Sequence, residues 1–355
     1  MFLSIEQFIW QKINKQPETF INMYQSRISG LGFYVPDNIV TNHDLTKIMD
    51  TSDEWIKERS GIEERRWVVP GSDDMASTMG AKAAKKAIEN AGLTKDEIDF
   101  IIFATLSPDY YFPGCGVQVQ HLLDMPTIGA LDVRNQCSGF IYALSIADQF
   151  VKTGMYKNIL VIGSEYHSNG LDKTTRGRTI TVLFGDGAGA AIVSRSKKEG
   201  QGILSSHLHS QGEYAEQLAV TAPAMKKWVP ELLNNLDDVS YYPYMDGQLV
   251  FKNAITRFSE VVMEGLAANN LDIKDVNLFI PHQANLRISQ FVQRKFGFGD
   301  HQVFNNIQKY GNTTAATIPI ALTEVVEQGR IKEGDLLVLA AFGSGFTWGS
   351  VVMRW

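Results

Sequence analysis

The chain alternates continuous apolar runs with helical stretches, which is the pattern of an α/β protein. The runs KNILVIGS (157–164) and GDLLVLAA (334–341) are typical of strands that are buried on both faces. Between such runs lie segments like ASTMGAKAAKKAIENAG (76–92), which we interpret as helices. Strands that alternate with helices predict a largely buried sheet covered by helical layers.

The pattern occurs twice, because segments of the first half match segments of the second at a nearly constant distance. LTKDEIDFIIF (93–103) aligns with LDIKDVNLFIP (271–281) at an offset of 178, and the two apolar runs align at 177. FGDGAGAAIVSR (184–195) then resembles FGSGFTWGSVVMRW (342–355). A repeat of this kind predicts two similar α/β halves.

The same comparison pairs two helices that we expect at the centre of the molecule. CSGFIYALSIADQFVKTG (137–154) aligns with NTTAATIPIALTEVVEQG (312–329) at an offset of 175, which puts Asn312 at the position of Cys137. Two halves that share these helices would bring Cys137 and Asn312 together across a pseudo-twofold axis.

Three regions follow from this patterning. We expect residues 1–24 to form an extension outside the core fold, since regular strand patterning starts only after them. Residues 25–198 are predicted to form the first half and residues 199–355 the second. Within the second half, residues 199–247 break the regular pattern and are interpreted as a long connection or lid.

Composition and charge exclude several functional classes. The chain is 44% hydrophobic and 20% charged, and its net charge of −6 gives no basic footprint for nucleic acid. Polar residues interrupt the N-terminal apolar residues, which argues against a signal peptide or membrane span. Two cysteines cannot form a disulfide framework, so a reducing, cytoplasmic location is expected.

Cys137 is the first candidate for chemistry. It precedes FIYALSIADQFV, a segment so apolar on all sides that it should be a buried helix. At the N-terminus of such a helix, free backbone N–H groups and the helix dipole stabilise a thiolate and can receive an oxyanion. The alternative is a buried core cysteine, which is how we interpret Cys115.

His282 and Asn312 are the other two candidates. His282 follows an apolar strand, at the strand end where open α/β sheets place their sites, and Asn312 starts the second central helix. Alone, they could be a structural histidine and a helix cap. With a cysteine they suit either a papain-like protease or a thioester condensation, and the papain signature around the cysteine is absent.

Several motifs in order resemble β-ketoacyl-acyl-carrier-protein synthase III, the initiating ketosynthase of type II fatty acid synthesis. They are QCSGFIYALSIADQF, GDGAGAA, PHQANLRI, YGNTTAATIPIAL and FGSGFTWGS, and the likeness runs from about Ser29 to Trp355. The resemblance implies a duplicated, thiolase-like αβαβα arrangement of five layers. It also implies a homodimer that uses acyl-CoA and malonyl-acyl-carrier protein and needs no metal or other cofactor.

The resemblance also implies catalytic roles for individual residues. Cys137 would take an acyl group from acyl-CoA, and His282 and Asn312 would bind the thioester carbonyl of malonyl-acyl-carrier protein. Phe342 would lie against the departing carboxylate in apolar surroundings. The backbone N–H groups of Cys137 and Ser344 would form the oxyanion hole, although the family often has glycine at position 344.

Binding sites are implied in the same way. By resemblance, Trp55, Arg59 and Arg176 would contact CoA, and Phe112 would reach across the dimer interface to bound the acyl pocket of the partner. Three exposed basic residues after PHQAN would dock the acidic carrier protein: Arg287, Arg294 and Lys295.

Other interpretations stay open at this point. The divergent 199–247 region and Ser344 suit a specialised ketosynthase of secondary metabolism, and a non-catalytic partner subunit is the alternative outside enzymes. A head-to-head condensing enzyme is disfavoured, since the loop SPDYYFPGCG offers Asp109 and no glutamate. GDGAGAA runs into AAIV and is predicted to be a strand, and His207 and His209 lack a nearby third metal ligand.

Overall fold

The structure is a computed structural model that describes residues 24–196, 198–228, 233, 235 and 237–355. The extension predicted at residues 1–24 lies outside the described residues, except for Tyr24.

The strands of the described residues fall in two main sheets and two short two-stranded sheets. In chain order they are β1 (Ser26–Tyr34), β2 (Ile39–Thr41), β3 (Glu64–Arg66), β4 (Phe100–Ala104), β5 (Gly129–Val133), β6 (Asn158–Glu165), β7 (Gly187–Arg195), β8 (Gly202–Ser210), β9 (Leu218–Ala219), β10 (Tyr244–Met245), β11 (Leu278–Pro281), β12 (Leu336–Gly343) and β13 (Thr347–Arg354).

The helices connect and cover these strands. In chain order they are α1 (Asn42–Leu45), α2 (Asp53–Ser60), α3 (Ala76–Asn90), α4 (Cys115–Leu122), α5 (Gly139–Lys152), α6 (Arg178–Thr181), α7 (Gly247–Ala268), α8 (Leu286–Phe296), α9 (Ile307–Tyr310) and α10 (Thr317–Glu327). Short 3-10 turns at Gln136–Ser138 and Thr314–Ala316 lead directly into α5 and α10.

The two main sheets have the same order of strands, as the repeat in the sequence predicts. The first runs β1-β7-β6-β4-β5 and the second runs β8-β13-β12-β11. In the first sheet β7 runs antiparallel to both of its neighbours, β1 and β6, and β6 is parallel to β4. In the second sheet β13 likewise runs antiparallel to β8 and β12, and β12 is parallel to β11. Residues 202–210 of the predicted connection therefore belong to the second sheet, as β8.

Helices α5 and α10 form a central layer between the sheets. One buried apolar cluster joins both helices to strands of both sheets; its members include Phe140, Leu144, Ile318, Leu322, Val161 and Leu339. Helices α3 and α4 cover the outer face of the first sheet, and α7 packs on the outer face of the second. The predicted duplicated α/β arrangement of five layers is confirmed.

One alignment in the predicted repeat is wrong by three residues. The turn before α5 starts at Gln136 and the turn before α10 at Thr314, an offset of 178, and both residues have positive φ, 44° and 50°. The residue equivalent to Cys137 is therefore Ala315, and Asn312 lies three positions before it. The alignment at 175 paired residues that are alike in size and polarity. In the fold, the two turns instead have the same offset of 178 as strands β4 and β11, which precede them. The boundary predicted after residue 198 stays a prediction.

Candidate active site

Cys137 lies in the 3-10 turn at the N-terminus of α5, in contact with the end of β12. Its side chain is 8% exposed. Gly343, the last residue of β12, is so close that a Cβ there would lie 2.6 Å from the Cys137 Cβ and 3.0 Å from its Sγ. Such contacts are far inside van der Waals distance, so only glycine fits at position 343.

The free thiol is protonated at neutral pH, in contrast to the thiolate expected from the helix dipole. Burial raises the pKa of the Cys137 thiol to about 12, and the nearby Glu165 carboxylate adds to the rise. Hydrogen bonds from the backbone N–H groups of Cys137 and Ser344 to the sulfur act in the opposite direction. The two N–H groups predicted to form an oxyanion hole therefore both lie at the sulfur.

His282 follows β11, and its backbone N–H donates to the Ala340 carbonyl of β12 at 2.8 Å. The ring is 3% exposed, and burial lowers the pKa of the imidazole to about 3, so the ring is neutral. Nδ1 lies 2.6 Å from the Thr317 hydroxyl, and Nε2 is buried without a hydrogen-bond partner in the described structure. Nε2 is the ring atom that is free to meet a ligand.

The hydroxyl of Thr317 has one proton and two neighbours. It lies 2.9 Å from the Thr314 carbonyl and 2.6 Å from His282 Nδ1. When it donates to the carbonyl, Nδ1 carries the ring proton and Nε2 is an acceptor; when it donates to Nδ1, Nε2 carries the proton and is a donor. Thr317 therefore decides which role Nε2 of His282 plays.

Asn312 is held by backbone contacts with the loop after α6. Its N–H donates to the Leu183 carbonyl at 2.7 Å, and its carbonyl accepts from Gly185 N–H at 3.1 Å. Its side-chain Oδ1 accepts from Thr314 N–H at 2.9 Å, which leaves the amide nitrogen as the group able to donate to a ligand. The two helix-start turns contact each other, so Asn312 belongs to the neighbourhood of Cys137 although it is not its equivalent.

Phe342 supplies an apolar wall beside this polar set. It is 3% exposed, and its ring centroid lies 4.9 Å from that of Phe346 and 6.5 Å from that of Trp348. Because Phe342 directly precedes Gly343, it lies next to the contact with Cys137. A carboxylate placed against these rings would lose hydration, which favours its loss as neutral CO₂.

Glu165 is a buried acid that sequence reasoning missed. It ends β6, is fully buried, and accepts hydrogen bonds from the Ser107 hydroxyl at 2.7 Å and from Leu106 N–H at 3.1 Å. Ala315 N–H approaches it at 3.4 Å. Burial raises the pKa of this carboxyl to about 7. The signal in the sequence is an acid that ends the otherwise apolar run NILVIGSE.

The residues expected to contact CoA lie in two places. The guanidinium groups of Arg59 and Arg178 lie 4.5 Å and 5.1 Å from the ring centroid of Trp55. Arg176 instead pairs with Asp172 at 2.5 Å and lies 5.3 Å from the ring of Tyr242. Arg178, which we did not predict, is the arginine of the TTRGR motif that contacts Trp55.

The three basic residues Arg287, Arg294 and Lys295 are all exposed on α8, whose opposite side buries Ile288 and Val292. Within the described part of the chain, none of the three forms a salt bridge. The start of α8 is joined to the Trp55 region, because the Asn285 amide donates to the Arg59 carbonyl at 2.9 Å.

Phe112 lies in the loop between β4 and α4 and is 80% exposed, with Tyr111 beside it at 6.2 Å between ring centroids. Tyr110 and Tyr111 are exposed as well, and adjoining exposed aromatic residues are typical of an interaction surface. Cys115 by contrast is a fully buried member of the apolar cluster under α3 and α4.

The remaining motifs have structural explanations. GDGAGAA enters β7, so the predicted strand is confirmed. His207 and His209 both contact the Glu264 carboxylate, and no set of three or more metal-ligating side chains occurs in the described residues. Over the same residues, no helix has the length and apolar character to cross a membrane.

Comparison with known proteins finds relatives over most of this chain. Family models for 3-oxoacyl-[acyl-carrier-protein] synthase III match residues 131–212, and those for its C-terminal part match residues 266–355. Beta-ketoacyl-[acyl-carrier-protein] synthase III from Actinobacillus pleuropneumoniae is 46% identical over 93% of this chain and 99% of its own, and the Aliivibrio fischeri protein of that name is 45% identical over the same shares.

A solved structure shows the same likeness. The crystal structure of 3-oxoacyl-[acyl-carrier-protein] synthase III from Aquifex aeolicus superposes with a TM-score of 0.84 at 43% identity, covering 93% of this chain and 100% of that one. The fold is therefore the thiolase-like fold that the sequence motifs predicted. The chain belongs to the β-ketoacyl-acyl-carrier-protein synthase III family.

Proposed function

We propose that this protein condenses an acyl-CoA primer with malonyl-acyl-carrier protein, with loss of CO₂, and so starts fatty acid synthesis. The observation that carries the proposal is a buried thiol, with two backbone N–H groups at its sulfur, in a helix-start turn that contacts the second helix-start turn. Asn312 is hydrogen-bonded to that second turn, and His282 contacts Thr317 directly after it. The reaction needs only the two thioester substrates.

The first half-reaction transfers the acyl group to Cys137. The sulfur attacks the thioester carbonyl carbon, a new C–S bond forms, and the bond to the CoA sulfur breaks. The N–H groups of Cys137 and Ser344 stabilise the oxyanion of the tetrahedral intermediate. Because the thiol is protonated at rest, its proton must leave during attack, and the departing CoA sulfur finally takes it up.

The second half-reaction makes the new carbon–carbon bond. The amide of Asn312 and Nε2 of His282, in its donor form, bind the malonyl thioester carbonyl. The bond to the carboxylate breaks against the apolar wall at Phe342, CO₂ leaves, and the electron pair remains as an enolate held by these donors. The enolate carbon attacks the acyl-cysteine, the C–S bond breaks, and the thiol regains a proton.

The substrate contacts extend this assignment to the surface. Trp55, Arg59 and Arg178 offer a stacking ring and cations for the nucleotide of CoA, and Arg176 lies further along the same segment for its phosphates. The exposed basic residues of α8 dock the acidic carrier protein.

The protein acts as a homodimer in a reducing, cytoplasmic setting that keeps Cys137 as a thiol. The free edge of β5 supports the dimer, because this strand is largely exposed while the neighbouring strands β4 and β6 are buried. Phe112, in the loop that precedes α4 and packs near β5, is exposed in a single copy and suits insertion into the partner.

The test is a product assay with purified acyl carrier protein. Acetyl-CoA and malonyl-acyl-carrier protein should give a 3-oxoacyl-carrier protein with one CoA and one CO₂ released per turnover, measured by mass spectrometry. A panel of longer and branched acyl-CoA primers uses the same readout. Absence of 3-oxoacyl product with every primer would overturn the proposal.

A further inference from the structure

The loop between β12 and β13 consists of Ser344, Gly345 and Phe346, and both of its side chains make contacts. Phe346 is buried and packs on Tyr214 and Phe342, further from Cys137 in the loop. Gly343 cannot gain a side chain because of Cys137. Ser344 is therefore the loop residue nearest to the Gly343 contact whose side chain can hold the backbone there.

Ser344 makes three polar contacts in three directions. Its N–H group directly follows Gly343, which lies against Cys137, and acts as a donor to the Cys137 sulfur. Its carbonyl accepts from the Thr347 hydroxyl at 3.0 Å. Its own hydroxyl donates to the Leu218 carbonyl. A glycine at this position would retain the first two contacts and lose only the third.

Leu218 belongs to the two-stranded antiparallel sheet of β9 and β10, here called the β9–β10 pair. In this pair Leu218 lies opposite Met245 and Ala219 opposite Tyr244, and Asp246 N–H donates to the Gln217 carbonyl at 2.9 Å. The chain before it is also attached to the loop, because Gln211 and Phe346 exchange two backbone hydrogen bonds of 2.8 Å. The hydroxyl of Ser344 is thus a polar side-chain link between the oxyanion loop and the β9–β10 pair, in addition to the stacking of Phe346 on Tyr214.

The chain just before β10 contacts Arg176, one of the residues proposed to bind CoA. Tyr242 lies two residues before β10, and the guanidinium of Arg176 lies 5.3 Å from its ring centroid. A ligand that binds Arg176 therefore acts on a segment that is hydrogen-bonded to Ser344. The connected contacts are Arg176 to Tyr242, β10 to β9, and Leu218 to Ser344.

We propose that the Ser344 hydroxyl is a positioning group that holds its own N–H at the Cys137 sulfur by anchoring the loop to the β9–β10 pair. The inference rests on the proposed function, since an oxyanion donor matters only for acyl transfer. It assigns to the side chain a role that glycine at this position could not fill.

The test compares two reactions of the same sulfur. Thioester acylation by acetyl-CoA develops an oxyanion and needs the N–H, whereas alkylation by iodoacetamide displaces iodide and develops none. In Ser344→Ala and Ser344→Gly, single-turnover acylation should fall about 10-fold, less than the 100-fold or more for complete loss of a donor. Alkylation should change by less than about 2-fold, and Ser344→Thr, which keeps the hydroxyl, should restore acylation.

A second measurement separates positioning from folding. The melting temperature of each variant and its affinity for CoA, measured by calorimetry, should stay at the parent values. Combining Ser344→Ala with Tyr242→Leu should lower acylation by less than the product of the two single effects, because both remove the same link.

The outcomes distinguish the inference from the function on which it rests. Equal acylation of the parent protein and Ser344→Ala overturns the inference alone. Acylation and alkylation that fall together overturn it as well, because that result shows a general disturbance of the thiol. Failure of the parent protein to form any acyl adduct contradicts the proposed function.

Discussion

The turns that start α5 and α10 share a backbone and differ in their side chains. Each is a 3-10 turn that begins with a residue of positive φ, Gln136 in the first and Thr314 in the second. Each leads into a buried helix of the central layer. The middle residue is Cys137 in one turn and Ala315 in the other, so the two halves place a nucleophile and a methyl group at equivalent points.

The residue that ends the neighbouring strand explains how the two turns diverged. The strand next to the turn before α10 is β6, which ends at Glu165, and the carboxylate of Glu165 accepts a hydrogen bond from the Ala315 N–H group. The strand next to the turn before α5 is β12, which ends at Gly343. Because Gly343 has no side chain, the backbone of β12 can lie against Cys137. A duplicated fold thus gains an acyl-transfer site where the strand end leaves N–H groups free, and a rigid support where a carboxylate occupies them.

Moving the thiol from one turn to the other should give the largest effect. The double variant Cys137→Ala, Ala315→Cys should form no acyl adduct, a loss of about 1,000-fold or more, because the Ala315 N–H is already engaged by a carboxylate. Intact-mass measurement after incubation with acetyl-CoA reads this directly. Cys115→Ala is the control and should acylate like the parent protein. An adduct on the transplanted thiol would show that the two turns are chemically equivalent.

Removing the polar groups of the second half should impair one half-reaction more than the other. In His282→Ala and in Asn312→Ala, CO₂ release from malonyl-acyl-carrier protein should fall about 100- to 1,000-fold, because the enolate loses a donor. Acylation by acetyl-CoA should fall less in Asn312→Ala, to within about 10-fold of the parent rate. Equal losses of both half-reactions in Asn312→Ala would contradict the division of labour between the halves.

The charge at Glu165 offers a pH test of the same comparison. An ionised carboxylate near the sulfur raises the pKa of the Cys137 thiol, so Glu165→Gln should lower that pKa and speed alkylation by iodoacetamide about 3- to 10-fold at pH 8. Because the pKa of Glu165 itself is raised to about 7, the difference should shrink as the pH falls below 7 and the carboxyl becomes neutral. In the parent protein the alkylation rate should still be rising at about pH 10, because the pKa of the Cys137 thiol is about 12.

The Glu165 prediction has a matched control in Glu165→Asp, which keeps the charge and shortens the side chain. This variant should retain the pH dependence of the parent protein. If the pH profiles of alkylation coincide for Glu165→Gln and the parent protein, the Glu165 carboxylate does not raise the pKa of the Cys137 thiol.

The smallest effect concerns the nucleotide end of the site. Arg178→Ala should raise the KM for acetyl-CoA about 3- to 5-fold with little change in kcat, because a cation next to Trp55 is lost. Steady-state kinetics with a short thioester that lacks the nucleotide are the control, and this variant should match the parent there. A raised KM for the short thioester as well would place Arg178 outside the nucleotide site.

The layers and the position of Cys137 at the start of a buried helix could be predicted from the sequence because apolar patterning reports burial directly. NILVIGSE and LLVLAAFG became β6 and β12, and the cysteine before an all-apolar helix lies at the start of α5. The pairing of Cys137 with Asn312 failed, since matching small and polar letters favoured an offset of 175 while the strands fix 178. Which residues of the two halves are equivalent depends on backbone geometry, and residue types alone do not specify that geometry.

Protonation and long-range contacts were also beyond the sequence. The helix dipole predicted a thiolate at Cys137, but the pKa depends on burial and on Glu165, which is 28 residues away in the chain. Arg176 and Arg178 belong to one motif, and only the turn between them determines which contacts Trp55. Such outcomes depend on the distances between segments, which the fold sets.

Intact-mass analysis of the protein after incubation with acetyl-CoA tests the central claim most directly. The account predicts a mass increase of one acetyl group on the parent protein, located on Cys137 by peptide mapping, and its removal when malonyl-acyl-carrier protein is added. Cys137→Ala should remain unmodified under the same conditions. An adduct that persists in Cys137→Ala, or one that malonyl-acyl-carrier protein does not discharge, would contradict the account.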